Sequence, residues 1–369
     1  MRALSARMFA FYFRAPVKAF FRARVDYMGY ARAINPRVQA GENWSWRLTS
    51  PAILAHAVKT HGWGFIPNQL LPPLLANTAV GAVLYTSYLN VLGLLHEPSS
   101  RPTKRVYPPP PISTAFSAGF IAGSIQSLIA APLDALQVRF QAAEMMEGKY
   151  RNMWHYALDK TRDIGPRGVF AGWTLSFVRD AFGFGVFFAA FEYVKGQCFY
   201  GFVSNVYGFY DKLSLFQQNR IEAQENYRGR RPEIKPHYML EPTFLLLAGA
   251  AASISQSTIQ HPITRIQDVH YGRLEWIDSH SASIPRTSRL NTLKLYASAY
   301  RKTFKECAAL GRRAGGLRRW LYADFLLGTL RQVPSTSAGL IVFEILRRKY
   351  SKDEEVVRIH KDGYDILLV

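Results

Sequence analysis

Two adjacent ionisable residues, Arg179 and Asp180, lie inside a long apolar stretch of the sequence. They are the only charged residues between positions 168 and 191. Ionisable residues are costly in such a stretch, and where the stretch spans a membrane they mark a substrate pathway by default. The guanidinium group of arginine binds a carboxylate through two parallel hydrogen bonds. The pair is therefore a candidate substrate site, with a structural ion pair between helices as the alternative.

Uncharged stretches recur along the chain and define the environment of this pair. Asp, Glu, Lys and Arg are all absent from residues 62–96, 106–133, 242–264 and 332–343. A helix needs about 20 residues to cross a bilayer, and the hydrocarbon region excludes charge. Buried helices of a large soluble protein are the alternative. The number of stretches and the small-residue spacing of Gly119 and Gly123 favour membrane spans.

The composition is strongly basic, because 46 Lys and Arg residues against 26 Asp and Glu give a net charge of +20. The positive charge lies largely between the apolar stretches, for example in residues 151–167 and 271–319, which is typical of one side of a membrane. Cys198 and Cys307 are too few for a disulfide framework or a four-cysteine zinc site. We expect no metal, no cofactor and no enzyme activity. A soluble nucleic-acid binder is the weaker interpretation of the charge.

An internal repeat relates two of the stretches. Shifting the chain by 130 residues aligns residues 118–137 with residues 248–267 and gives eight identities in twenty positions. The identical pairs are Ala118/Ala248, Gly119/Gly249, Ala122/Ala252, Gln126/Gln256, Ser127/Ser257, Ile129/Ile259, Pro132/Pro262 and Gln137/Gln267. The repeat predicts a unit of two membrane helices joined by a basic loop that contains a short helix.

The spacing from arginine to glutamate extends this repeat. Arg179 and Glu192 are 13 residues apart, as are Arg331 and Glu344. A weaker third copy places six residues at equivalent points of the three units, and these are Ala76, Asn77, Arg179, Asp180, Arg331 and Gln332.

These residues resemble the signature of the mitochondrial carrier family. Each of the three repeats in that family has a Pro-x-[Asp/Glu]-x-x-[Lys/Arg] motif and a [Phe/Tyr]-[Asp/Glu]-x-x-[Lys/Arg] motif. Residues 132–137 and 262–267 match the first motif in part, and residues 191–195 and 343–347 match the second. The resemblance covers residues 44–349. It implies an all-α membrane protein with six transmembrane helices in three pseudo-symmetric repeats and short amphipathic matrix helices.

The resemblance also implies roles for individual residues. The substrate would contact the six equivalent residues given above. A matrix gate with its helix kinks would involve Pro132, Asp134, Gln137, Pro262 and Gln267. An outer gate would involve Glu192, Lys195, Glu344 and Arg347. Both gates depart from the family pattern, because Gln137, Thr264 and Gln267 replace charges and residues 88–92 lack the acid and the base.

The repeats predict the domain organisation. The expected segments are a basic segment 1–43, the remainder of repeat 1 at 44–98, a Pro-rich linker 99–111, repeat 2 at 112–195, an insert 196–241, repeat 3 at 242–349 and a tail 350–369. Segment 1–43 is interpreted as a mitochondrial targeting segment, because its basic residues precede the first acid at Asp26. A divergent first helix with a kink at Pro16 or Pro36 is the alternative. Residues 44–61 are expected to form the loop helix of repeat 1.

The leading hypothesis is a divergent carrier of the mitochondrial inner membrane that moves a small anionic or zwitterionic metabolite. We expect a monomer with membrane lipid as a partner, cardiolipin being one candidate, and no nucleic acid. The rival hypothesis is a carrier-derived scaffold or a fusion or assembly factor that does not transport, in which case the outer membrane is an alternative location. The eroded gates favour the rival, whereas Arg179, Asp180 and Arg331 favour transport.

Overall fold

A computed structural model describes residues 28–41, 50–100, 106–138, 150, 152–210, 213–215, 217–219, 221–222, 232–281, 289–330, 333, 357–361 and 364–368. Within these ranges the chain is mostly helical. The helices are α1 (Gly29–Ala33), α2 (Pro36–Gln39), α3 (Ser50–His61), α4 (Leu71–Leu95), α5 (Ile112–Val138), α6 (Met153–Val169), α7 (Trp173–Glu192), α8 (Phe199–Tyr207), α9 (Leu240–Ser281), α10 (Arg289–Arg313) and α11 (Leu317–Leu321). The strands are β1 (Glu233–Ile234), β2 (Val357–His360) and β3 (Asp365–Leu368).

Three of the apolar stretches form helices that are long and apolar enough to cross a membrane. These helices are Ile66–Leu95, Ile112–Gln137 and Trp173–Tyr207. The first begins with a π-helical turn before α4, and a second π-helical turn, Tyr193–Cys198, joins α7 to α8. The prediction of helices with the length and apolar character of a membrane span is therefore confirmed for these three stretches.

The remaining two stretches have different outcomes. Residues 242–264 lie within α9, a helix of 42 residues. At 1.5 Å per residue this helix is roughly 63 Å long, about twice the thickness of the hydrocarbon core. Of residues 332–343 only Val333 is described. The arrangement of six spans in three repeats stays a prediction.

The core of the bundle lies between α4, α5, α7 and α9. It contains Leu84, Tyr88, Leu92, Ala118, Ala122, Phe184, Phe187, Phe188, Phe191, Leu245, Ala248 and Ala252. The rings of Tyr88 and Phe188 stack with a centroid distance of 3.6 Å. Alanines on α5 and α9 face phenylalanines on α7, so small and large side chains interdigitate between the helices.

Glycines allow the helices to approach closely, as the spacing of Gly119 and Gly123 predicts. A Cβ atom on Gly123 would lie 2.5 Å from the carbonyl oxygen of Asp180, and one on Gly119 would lie 2.6 Å from that of Phe184. A Cβ atom on Gly183 of α7 would lie 2.3 Å from Nε2 of Gln260 on α9. Helix α7 is thus in close contact with both α5 and α9.

The predicted loop helix of repeat 1 is present as α3, which begins at Ser50. Residues 44–49 lie outside the described residues. Ile53 and Ala57, one turn apart, are buried against Ala31 of α1 and against Phe65. This packing places the apolar face of α3 against α1, at the start of the described residues.

Candidate functional site

The candidate site lies where the end of α5, the first two turns of α7 and the middle of α9 meet. Ser176, Arg179 and Asp180 share one face of α7, because residues three and four apart lie on the same side of a helix. Gln267 and Tyr271 share a face of α9 for the same reason. Asp134 faces both from the last turns of α5.

The hydroxyl of Ser176 connects all three helices. It donates a hydrogen bond to Oδ2 of Asp134 at 2.7 Å and accepts one from Nε2 of Gln267 at 2.7 Å. The hydroxyl of Tyr271 lies 3.1 Å from that of Ser176. The single proton of Ser176 is directed to the carboxylate, so Tyr271 is the donor in this last contact.

Arg179 occupies the centre of the same arrangement. Its Nε donates to Oδ1 of Asp180 at 2.9 Å, and its Nη2 lies 3.7 Å from Oδ2 of Asp134. Its Nη1 donates to Oε1 of Gln267. We call these six residues the Arg179 network: Asp134, Ser176, Arg179, Asp180, Gln267 and Tyr271.

The network is almost completely removed from solvent. Arg179 keeps 17% of its side chain exposed, whereas Asp134 and Asp180 keep 8% and 3%. One guanidinium and two carboxylates leave a formal charge of −1. A buried charge is tolerated when it is paired and hydrogen-bonded, and breaking such a pair costs about 3–5 kcal/mol. The network therefore sets the relative positions of α5, α7 and α9 in this conformation.

The structure brings together four residues that the sequence assigned to two different functions. Arg179 and Asp180 are predicted to bind substrate, and Asp134 and Gln267 are predicted to form the matrix gate. In the structure the two pairs are in direct contact. Part of the predicted substrate site and part of the predicted matrix gate thus form one cluster.

Other predicted residues are not among the six that define this cluster. Gln137 is exposed at the end of α5, and Pro132 and Pro262 are partly buried within α5 and α9. Ala76 and Asn77 are partly buried in the first part of α4. The roles given to these residues stay predictions.

The predicted outer gate is described only in part. Nζ of Lys195 lies 3.5 Å from Oε1 of Glu192, one helical turn away in the same segment. The ammonium of Lys195 also lies 5.3 Å from the ring centroid of Phe191. Glu344, Arg347, Arg331 and Gln332 lie outside the described residues. The predicted pairing between repeats is therefore untested.

Sequence reasoning did not find Ser176, Tyr271 and Gln260. Nε2 of Gln260 donates to the backbone carbonyl of Arg179 at 3.3 Å. Serine and tyrosine are ordinary residues in helices, so composition gives no reason to select them. Their spacing relative to Arg179, Asp180 and Gln267 would have found them, since it places them on the same helix faces.

The space beside the network is small in this conformation. A cavity lined by Asp134, Ser176, Trp173 and Tyr271 has a volume of about 10 Å³. One water molecule needs roughly 10–15 Å³ of such space. A metabolite would therefore require the three helices to separate. Within the described ranges, no group of three or more His, Cys, Asp or Glu residues could hold a metal ion.

Comparisons with known proteins agree with the motifs. Residues 108–200 match the family model described as mitochondrial carrier protein. Solute carrier family 25 member 45 of Homo sapiens is 31% identical over 128 residues, which is 32% of this chain and 43% of that protein. Mitochondrial thiamine pyrophosphate carrier 1 of Pyricularia oryzae is 31% identical over 144 residues, 38% of this chain and 42% of that protein. Mitochondrial citrate transporter F of Aspergillus niger is 32% identical over 68 residues, 18% of this chain and 22% of that protein.

These matches confirm the resemblance to the mitochondrial carrier family that the motifs indicate, with the family model covering residues 108–200. The matched part spans less than half the length of these relatives. At the level of the family, carriers are transporters rather than enzymes, and they are mitochondrial membrane proteins with several membrane-spanning helices. The matched residues 108–200 contain α5, α6, α7 and the first residues of α8, and so include the α5 and α7 parts of the Arg179 network.

Proposed function

We propose that the chain is a divergent mitochondrial carrier that moves a small anionic or zwitterionic metabolite across the inner membrane by alternating access. An amino acid or a carboxylate is the expected substrate class. The observation that carries the proposal is the burial of Arg179 in a polar cluster that joins three helices of an apolar bundle. Two of the curated relatives are named for anionic solutes, thiamine pyrophosphate and citrate, which agrees with this class.

Arg179 supplies the binding chemistry for a carboxylate. Its shortest acidic contact is to Asp180 at 2.9 Å, and its contact with Asp134 is longer at 3.7 Å. A substrate carboxylate could replace Asp134 as the second acidic partner without disturbing the first. Asp134, once released, would be available to the ammonium group of a zwitterion. The same cluster can thus hold both ends of an amino acid.

The rest of the network supplies a gate. Asp134, Ser176, Gln267 and Tyr271 link α5, α7 and α9 through hydrogen bonds in which most partners are neutral. A typical hydrogen bond contributes about 0.5–1.5 kcal/mol net, less than a bond to a charged group. A gate of this kind opens more readily than one built from ion pairs. We infer that competition for Arg179 between Asp134 and the substrate opens it.

The second candidate function is a membrane scaffold that does not transport. It is favoured by the completeness of the Arg179 network, in which the guanidinium already has two carboxylates and an amide as partners. The cavity beside the network, at about 10 Å³, holds no metabolite in this conformation. On this hypothesis the pair Arg179 and Asp180 is a structural link between helices.

We further propose lipid contacts and a monomeric state in the inner membrane. An apolar cleft of about 480 Å³ between α5 and α6, lined by Leu128, Ile129, Pro132, Pro166 and Phe170, could hold an acyl chain. Exposed bases on α10, among them Arg301, Lys302 and Lys305, would suit anionic headgroups such as those of cardiolipin.

Reconstitution tests the choice between transport and scaffold. Purified protein in liposomes would be given a panel of amino acids, keto acids, citrate and thiamine pyrophosphate, beside a carrier of known activity. We expect saturable uptake of at least one anionic or zwitterionic solute. Uptake of nothing by this protein, while the control carrier works, would favour the scaffold.

A further inference from the structure

The insert after α7 folds together with the last described strands of the chain. Their side chains form a separate core outside the helical bundle, which contains Phe199, Val203, Tyr207, Leu213, Ile221, Ile234, Ile359, Tyr364, Ile366 and Leu368. We call this unit the cap. It consists of α8, the described residues 213–222, and strands β1, β2 and β3.

Strand β3 holds the cap together because it lies between the other two strands. The strand order is β1-β3-β2, with β1 parallel and β2 antiparallel to β3. In the register, Glu233 pairs with Asp365 and Ile234 pairs with Ile366. All four residues of β3 are buried. We call the described residues 357–361 and 364–368 the strap, and the strap is thus paired with the insert along one edge of β3.

Hydrogen bonds also fasten the strap to the end of α8. The hydroxyl of Tyr364 donates to the carbonyl of Tyr207 at 2.8 Å, and the amide of Asp365 donates to the carbonyl of Pro232 at 2.9 Å. The hydroxyl of Tyr207 accepts from the amide of His237, which precedes α9, at 3.2 Å. The strap therefore ties the end of α8 to the chain segment that leads into α9.

The cap lies at the opposite end of the bundle from the Arg179 network. Phe199 of α8 is 20 residues after Arg179 on nearly continuous helix, a distance of about 30 Å. The ring of Phe199 packs on that of Phe244 near the start of α9, with centroids 5.6 Å apart. Gln197 donates to the carbonyl of Pro110 at 3.2 Å, which adds the Pro-rich linker to this end. Glu192 and Lys195 precede these contacts along the chain, between Arg179 and Phe199.

We propose that the strap holds this end of the bundle closed and must separate from the insert before the end can open. This inference rests on the proposed transport function. Alternating access requires α7 and α8 to move apart from the start of α9 at one stage of the cycle. The sheet between β1 and β3 bridges those elements, so it must open or slide when they separate. The strap is thus a closing device built from the chain's own last strands.

A reversible cross-link tests whether the strap must release. Glu233→Cys with Asp365→Cys, in a Cys198→Ser, Cys307→Ala background, would join β1 to β3. Oxidation should lower the initial uptake rate by about tenfold or more, because the open state is removed from the ensemble, and a reductant should restore it. The matched control is His360→Cys with Asp365→Cys, which joins β2 to β3 within the strap. Its uptake should not change on oxidation.

A second measurement is independent of transport. Glu192 is 8% exposed and lies below the cap, so Glu192→Cys in the same background should react slowly with a membrane-impermeant maleimide. Removal of residues 357–369 should raise the labelling rate several-fold. Unchanged labelling would overturn the proposal. Full uptake by the oxidised protein that carries Glu233→Cys and Asp365→Cys would overturn it as well. Absence of uptake by the reduced protein would instead count against the transport function, while the labelling result would still decide the role of the strap.

Discussion

Among single residues, Ser176 joins the three helices of the candidate site through its hydroxyl group. Its hydroxyl contacts Asp134, Gln267 and Tyr271, and Ser176 itself is 1% exposed. Few other side chains could fit, because the hydroxyl must donate to a carboxylate and accept from an amide at one point. We therefore regard Ser176 as the centre of the proposed gate.

Ser176→Ala should destabilise the folded protein. The substitution leaves the carboxylate of Asp134 and the amide of Gln267 buried with one partner fewer, which costs about 1–3 kcal/mol. The measurement is thermal unfolding of the purified protein in detergent. Thr86→Ala, at an exposed position in the middle of α4, is the control and should unfold as the wild type does. Equal stability of the two variants would show that the hydroxyl is dispensable.

Residue patterns predicted part of this site. Arg179 and Asp180 were selected because they are charged residues in an apolar stretch, and Asp134 and Gln267 because they fall on the first motif of the carrier family. All four lie in the cluster. The direct contact between Arg179 and Asp134 could not be predicted, since it depends on how far the guanidinium reaches from α7 towards α5. Ser176 and Tyr271 were missed because hydroxyl groups carry no strong compositional signal.

At the scale of helices, the contact between α5 and α7 depends on glycine. Gly123→Ala would place a Cβ atom 2.5 Å from the backbone oxygen of Asp180. The backbone cannot rotate away, so the helices must separate, and overpacking of this kind costs about 1–3 kcal/mol. We expect a lower unfolding temperature in detergent and reduced uptake, because Asp180 belongs to the Arg179 network.

Gly81→Ala on α4 is the matched control for this prediction. No atom lies within 4 Å of the added Cβ, and alanine is favoured over glycine in a helix by about 1 kcal/mol. This variant should be as stable as the wild type or more so. If Gly123→Ala and Gly81→Ala gave the same unfolding temperature, the proposed close packing of α5 on α7 would be wrong.

The packing of α10 on α9 predicts a dependence of stability on pH. His270 lies beyond the predicted span 242–264 and is fully buried. Its Nδ1 lies 3.0 Å from Oγ1 of Thr303, whose own proton goes to the carbonyl of Ala299. Burial lowers the pKa of His270 below its ordinary value of 6.5; the carbonyl of Ala171 partly opposes this effect, and Arg273 adds to it.

The sign of the effect follows from the lowered pKa. The unfolded chain takes up the proton near pH 6.5 and the folded chain only at lower pH. The stability that neutral His270 provides is therefore complete above pH 6.5 and is lost as the pH falls through the lower pKa of the folded state.

The unfolding temperature should fall more for the wild type than for His270→Gln between about pH 7.5 and pH 5. His155→Gln, on the surface of α6, should behave like the wild type. Identical pH profiles for wild type and His270→Gln would contradict the assignment.

The positions of the apolar helices were easier to predict than how far each helix extends beyond its apolar part. Runs without charge located Ile66–Leu95 and Ile112–Gln137, and a run with only Arg179 and Asp180 located the first part of Trp173–Tyr207. These helices could be located because exclusion of charge from hydrocarbon acts locally along the chain. The extension of α9 to Ser281 was not predicted, since the segment after Thr264 carries charges and its helical state depends on packing against α10.

The largest difference between prediction and structure concerns the molecule as a whole. The insert 196–241 and the tail 350–369 were separate segments without an assigned structure, whereas their described parts share one sheet and one core. Strands of two and four residues have no readable periodicity, and their pairing joins positions more than 120 residues apart. Pairing over such a separation is decided by tertiary packing rather than by local sequence.

The central claim is that Arg179 binds the transported solute within the bundle. Its most direct test is uptake by reconstituted wild type, Arg179→Ala and Arg179→Lys, with Arg318→Ala at an exposed position of α11 as the control. Once the wild type has shown which solute it takes up, Arg179→Ala should lower that uptake by about tenfold to a hundredfold, since each factor of ten corresponds to roughly 1.4 kcal/mol of lost interaction. Arg179→Lys, which keeps the charge but loses the two-pronged hydrogen bond, should be intermediate. Uptake by Arg179→Ala at the wild-type rate would contradict the claim and leave Arg179 as a structural partner of Asp134 and Asp180.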